Sequence, residues 1–265
     1  MYRGMSVLVV GLLAWGQVCN LPSRGAVRIG KLQTCRHDTE PATAADWLRK
    51  GNEEYGKRKY DDAIASLTKC LKLEADNAEA LDLRGSAYFM RGKFAESVAD
   101  FDRYIRLKPD RANGHWRRGI SLYYAGKYEA GMKQFEGYEK VDTNDVENAV
   151  WHFLCAARKD GVKMARAGML AIGKDRRVPM MQVYELYKGT IKPADVLVAA
   201  NAGERTDEQR KPMLFYAHLY LGLYYDVLGE KKKASEHMAL AAGKYKIGHY
   251  MGEVARVHSE MLAKK

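Results

Sequence analysis

A 34-residue period constrains this chain more than any other feature. The stretch from Arg91 to Asp110, RGKFAESVADFDRYIRLKPD, is echoed 34 residues upstream by KRKYDDAIASLTKCLKLEAD and 34 downstream by AGKYEAGMKQFEGYEKVDTN. Gly51, Gly85 and Gly119 share one register, as do Tyr60, Phe94 and Tyr128, then Ala63, Ser97 and Gly131, then Leu67, Phe101 and Phe135. A unit this short cannot bury its apolar face alone, so three copies in phase must stack their faces into one continuous core.

Small residues at the eighth and twentieth places and large ones at the seventeenth and twenty-fourth make this repeat resemble the tetratricopeptide (TPR) unit, a helix-turn-helix. The match runs from Ala44 to about Asp145. Pro109 ends a helix because the residue before a proline is disfavoured in helical geometry, while Ala75 and Thr143 stand at that place in the other two repeats. A fourth copy appears in FYAHLYLGLYYDVLGEKKKASEHMALAAGKY, where Gly222, Gly229, Ala234, Met238 and Ala241 keep the register. Between the two regions the pattern decays. VENAVWHFLCAAR reads as a first helix and GVKMARAGMLAIG as its partner, Pro193 opens a later helix and Asn201 to Gly203 close it. The final stretch, GHYMGEVARVHSEMLAKK, reads as a capping helix with a charged outer face. The expected fold is all-α: a TPR superhelix (α-solenoid) of about five to six helix pairs, with repeats over 44–145, degenerate helical repeats over 146–214, and a last TPR and cap over 215–265.

The amino end, MYRGMSVLVVGLLAWGQVCNLPSRG, places one Arg before a charge-free apolar run, with small residues near Gly16. That run is too short for a permanent bilayer span and has the length of a secretory signal, so residues 1–19 are expected to be a signal peptide and the protein exported to the periplasm or envelope. Cys19 would be removed with that peptide or, if lipidated, would anchor the chain to a membrane; Gln17 and Val18 fit a lipoprotein signal poorly. Residues 20–43, rich in Arg, Pro, Gly and Thr, read as a flexible tether. Of the remaining cysteines, Cys70 and Cys155 fall in different repeats, farther apart than a disulfide spans, and read as buried small hydrophobes. The 44 Lys and Arg against 33 Asp and Glu give a net charge of +11, which favours anionic partners without choosing among them.

The order of these pieces, three clear repeats, then DVENAVWHFLCAAR, a divergent pair, a late TPR and a closing helix, resembles the bacterial envelope TPR lipoproteins of the NlpI type from Ala44 to the end. The resemblance implies an envelope adaptor that dimerises and brings peptidoglycan hydrolases or a protease to their partners. A second motive for a homodimer is that the first helix of the array would expose Trp47 and Leu48 unless something covered them.

Catalytic spacing is missing: the sequence has no GxxxxGK[ST], GxGxxG after a strand, HExxH, GxSxG or CxxC. His152, near Trp151 and Cys155, has too few close ligand partners for zinc and reads as a packed histidine. The expectation is therefore a non-catalytic binder of protein or peptide with no cofactor and no metal. TPR arrays bind on a concave face, which here carries Arg49, Asn52, Tyr55, Asp82, Phe89, Met90, Trp116, Arg117, Tyr123 and Tyr124. The carboxylate-clamp pattern of chaperone-binding TPRs is lost, with Leu48, Trp116 and Ile120 at its places. What remains is an aromatic groove suited to an extended peptide or a helix, with Trp116 its best anchor. GEKKKASEH reads as a basic, solvated turn. The alternative, a cytoplasmic basic repeat protein on nucleic acid, would need a periodic set of polar base-reading side chains. The concave places are instead aromatic, apolar or acidic, so nucleic acid is not expected as a partner.

Overall fold

Glycine at the eighth place of each repeat exists to receive the residue at the twenty-fourth. A Cβ on Gly51 would stand 2.6 Å from Leu67, on Gly85 2.8 Å from Phe101, on Gly119 2.5 Å from Phe135, and on Gly222 2.9 Å from Met238. Each pair joins the two helices of one repeat: α1 (Ala44–Gly56) to α2 (Tyr60–Leu73), α3 (Ala78–Met90) to α4 (Phe94–Leu107), α5 (Trp116–Tyr124) to α6 (Tyr128–Tyr138), and α11 (Asp207–Val227) to α12 (Lys231–Ala242). A polar pair runs beside the apolar one in the same register. Arg84 forks onto Asp100 at 2.7 and 2.8 Å, and one repeat later Arg118 donates to Gln134 at 2.9 Å. The turn between the paired helices needs a left-handed residue, supplied by Gly92, Gly126 and Gly229; the first repeat has Arg58 there, at φ 60°, a conformation that costs a non-glycine residue about 1 kcal/mol or more.

The structure, a computed structural model, describes residues 43–264; the expected signal peptide and nearly all of the expected tether lie outside them. Thirteen α-helices, one short 3-10 turn (Pro109–Arg111) and no strand are found among the described residues. The chain is a TPR α-solenoid. After the third repeat comes α7 (Val146–Asp160), whose residues from Val146 to Ala157 are nearly all buried. Its expected partner is cut short: α8 spans only Val162–Ala167, because Gly168, Gly173 and Pro179 fall in the following segment, which runs without helix to α9 (Met180–Lys188). Then α10 (Pro193–Asn201) has the expected bounds. The basic run differs from its reading as a turn, since Lys231, Lys232 and Lys233 form the exposed first turn of α12.

The core is two clusters: a small one under α1 to α3, around Trp47, Leu67 and Leu81, and a large one from Phe89 to Val257. Trp47 is only 6% exposed, with the Lys69 Nζ 4.1 Å above its ring, so this residue is covered by its own chain, while Leu48 beside it is half-buried. Cys70 and Cys155 are free and buried, and burial pushes both thiols above the ordinary cysteine range. Cys155 of α7 packs onto the twentieth place of the third repeat, Gly131, its Sγ standing 2.7 Å from where a Cβ on that glycine would be.

The last repeat pairs a buried histidine, His218, with a half-buried one, His237, their Nδ1 atoms 2.8 Å apart. Burial, the second imidazole and Lys244 push His218 down to about 4, and burial lowers His237 as well. These groups bind protons more weakly folded than unfolded, where a histidine titrates near 6.5, so their contribution is present above about pH 6.5 and is lost as pH falls towards 4. The melting temperature is expected to drop between pH 6.5 and 4.5, and His218→Gln to flatten that slope. An unchanged slope would refute the assignment to this pair.

Candidate functional site

The concave groove of the first repeats holds a helix of the same chain. This is α13 (Tyr250–Ala263), capped by His249, whose Nδ1 accepts from Met251 N at 3.3 Å. Gly252 is required at its entry, since a Cβ there would lie 2.2 Å from the Ile247 carbonyl. The helix covers α12 as a cap should, and it also reaches α3 and α5. The Tyr250 ring stacks on Phe89 at 5.5 Å and meets Trp116 edge-on at 5.1 Å. Val254 and Ala255 are fully buried. The His258 Nδ1 lies 2.9 Å from the Tyr124 hydroxyl, and Arg256 donates to the Met90 carbonyl at 2.7 Å.

At the centre of this contact is a buried carboxylate. Glu253, 5% exposed, is held between Arg58 at 3.0 Å and Arg256 at 2.7 Å. Either arginine alone still compensates the buried carboxylate, and both reach solvent, Arg58 more than Arg256, so the loss of one partner is cushioned by the other. Arg58 is the residue in the left-handed turn position where the later repeats use glycine, so the strain in that turn coincides with an ion pair that only a side chain could make.

The ten residues expected on the concave face divide into four sets. Tyr55, Phe89, Met90, Trp116, Arg117 and Tyr124 come together around α13. Arg117 lies 6.0 Å from the Tyr250 ring, and burial pushes the Tyr55 hydroxyl up to about 12. Asp82 fixes Arg117 from the side, accepting from Nη2 at 2.7 Å and facing His115 at 3.0 Å. Burial works to raise the Asp82 carboxyl, but those two partners outweigh it and hold the group below its ordinary value. Tyr123 is buried against Trp151. Arg49 and Asn52 are exposed and stand apart, Arg49 pairing with Asp46 on its own helix.

Sequence reasoning missed the occupant. Two signals could have found it: an Arg at the turn position that carries Gly in Gly92, Gly126 and Gly229, and a Glu at 253 among the apolar residues Met251, Val254 and Val257. It also missed a cavity of about 330 Å³ beside the start of α13. Trp116 and Ile120 of α5, Tyr138 of α6, Trp151 of α7, Tyr216 of α11 and Tyr250 wall it with apolar and aromatic surface, and Asp145 and Glu147 add carboxylates. Asp145 caps α7 by accepting from Glu147 N at 3.1 Å. Arg177 reaches in from the irregular segment to Asp145 at 2.7 Å, Glu147 at 2.6 Å and Asp175 at 2.6 Å, and the Tyr220 hydroxyl donates to Glu147 at 2.5 Å. Burial raises the Asp145 and Glu147 carboxyls above their ordinary values despite Arg177.

A family model described as tetratricopeptide repeat matches residues 48–112. Among solved structures, a tetratricopeptide repeat protein from Parabacteroides merdae ATCC 43184 superposes with a TM-score of 0.51 at 15% identity, over 83% of this chain and 84% of that one. YrrB, a TPR protein with an unusual peptide-binding site, gives a TM-score of 0.43 at 15% identity, over 80% of this chain and 91% of that chain. A search of curated proteins found no match to the sequence.

Proposed function

We propose that this TPR protein is a non-catalytic adaptor of the bacterial cell envelope, binding a peptide or protein partner on its concave face at the Trp116 end. TPR solenoids are interaction scaffolds, and the observation that carries the reading is the groove's own content. An amphipathic helix lies in it with its apolar side on aromatic rings, the helix-in-groove mode of recognition. The groove is thus chemically fitted to such ligands, and beyond Tyr250 it opens into the aromatic cavity around Trp116.

The envelope location rests on the amino-terminal signal pattern and on the resemblance to NlpI-type lipoproteins, which extends the reading to hydrolases or proteases as partners and to membrane attachment through Cys19. The homodimer enters through the resemblance and through the half-buried Leu48 of the first helix, Trp47 being covered by its own chain. A photo-crosslinker placed at Tyr216, on the cavity wall, should capture a partner in living cells. Trp116→Ala should reduce the captured band at least tenfold, as truncation of an interface anchor does, and because this ring also packs on Tyr250 the comparison is made below the variant's own, lowered melting temperature, with Asn52→Ala as the control that leaves capture unchanged. Capture undiminished by Trp116→Ala would remove Trp116 from the site, and a cytoplasmic pool on fractionation would remove the envelope.

A further inference from the structure

We propose that the cavity between α5, α7, α11 and the start of α13 recognises a lysine side chain of a partner peptide, its ammonium set against Asp145 and Glu147 and its stem against the surrounding rings. The inference deepens the adaptor reading and rests on it for the source of the lysine.

Three observations point to this ligand. First, the charge is unbalanced: one guanidinium, Arg177, serves three carboxylates, and the two of these that line the cavity are Asp145 and Glu147. In a chain whose overall charge is +11, this local excess of negative charge stands out. Second, the wall is aromatic. Trp116, Tyr138, Trp151, Tyr216 and Tyr250 surround the space, and ring faces attract a cation that has left water. Third, polar atoms here lack partners. The Asn148 Oδ1 and Trp151 Nε1 belong to cavity-lining residues only 3% and 2% exposed, and neither makes a hydrogen bond. Asn148 already donates its amide to the Phe135 carbonyl at 2.9 Å, so what it lacks is a donor, which an ammonium provides. Trp151 lacks an acceptor, which the carbonyl of the adjoining peptide unit provides. Buried groups of this kind are ordinarily satisfied; both atoms are closed to solvent in this structure, and a ligand with both functions completes them once the wall side chains shift to admit it.

The size agrees. About 330 Å³ lies at the low end of ligand pockets, roughly 300–1,000 Å³: enough for one side chain with its peptide unit, too little for a helix. The neighbouring His249 does not oppose a cation, because burial holds its imidazole below its ordinary value and so neutral near pH 7.

The test is tryptophan fluorescence of the full chain titrated with three probes. These are N-acetyl-lysine methylamide, its neutral counterpart N-acetyl-norleucine methylamide, and n-pentylamine, which has the stem and ammonium without the carbonyls. The lysine derivative should saturate at millimolar concentration or below, with norleucine at least tenfold weaker and pentylamine between them. Asp145→Asn keeps a good helix cap while removing the charge, and should weaken lysine at least fivefold without weakening norleucine. Tyr216→Leu, from the opposite wall, should weaken both cationic probes. Equal binding of lysine and norleucine, or no saturation by lysine up to 50 mM, overturns the proposal; pentylamine binding as tightly as lysine overturns the peptide source and assigns the cavity to free amines. No partner protein is needed, so failure here leaves the Trp116-dependent crosslinking standing, and failure of that crosslinking leaves the amine selectivity to be read on its own.

Discussion

Replacing Phe89 by alanine is expected to cost about 3–5 kcal/mol of stability, a large share of the 5–15 kcal/mol that a typical domain possesses. The side chain is fully buried and meets three other rings: Phe94 at 5.5 Å, Tyr124 at 5.4 Å and Tyr250 at 5.5 Å. Its loss would leave a void where α3, α4, α5 and α13 meet, and four elements held by their own packing have little freedom to collapse into it. Urea denaturation measures this directly. The same experiment on Asn52→Ala, at an exposed concave position, should move stability by no more than about 0.5 kcal/mol. A Phe89→Ala midpoint as close to the parent as that would mean that α13 does not rest on this ring, and the groove would then be open to outside ligands along its full length.

The second large effect is expected at Gly119. A Cβ there would sit 2.5, 2.8 and 2.9 Å from three atoms of the Phe135 ring, and a leucine must expel that ring from between α5 and α6. Overpacking of this kind costs about 1–3 kcal/mol or more. The ring also lines the cavity beside Trp116, so Gly119→Leu should lower both the melting temperature and lysine affinity. Adding Phe135→Ala returns volume to the site and should recover part of the lost stability. Gly56 is the control: an added Cβ meets nothing within 4 Å and its φ is not left-handed, so Gly56→Ala should be neutral or stabilising by about 0.4–1 kcal/mol. A melting temperature that ignores Gly119→Leu would show that the repeat register is wrong.

The repeats were legible because their rule is local. The eighth and twenty-fourth places of one unit touch each other, so the size pattern is written within 34 residues and rewritten in the next copy. Pro193 fixed the start of α10 for the same reason. The site was less legible because its parts are distant. Arg256 and the Met90 carbonyl lie 166 residues apart, and the amphipathic spacing of α13 states that it has an apolar side without stating which surface receives it. The charge cluster at the cavity was hidden in another way: Arg177 belongs to a stretch without helical period, and it is the shortening of α8 by Gly168 and Gly173 that leaves this stretch free to pass across the start of α7. The aromatic composition of the concave face was read from register, but that most of these rings serve an internal helix could not be.

An ordinary solenoid is an open spring. Each unit touches only its neighbours, so the ends can peel independently and stability is nearly a sum over units. Here α13 is a clasp, joining the last turn of sequence to Arg58 of the first repeat and to Met90 of the second. The clasp ties units far apart in sequence to one another, so that their stabilities are no longer a sum over neighbours alone. The contact between Arg256 and the Met90 carbonyl spans 166 residues, and closing contacts of such separation carries the loop entropy that slows folds of high contact order.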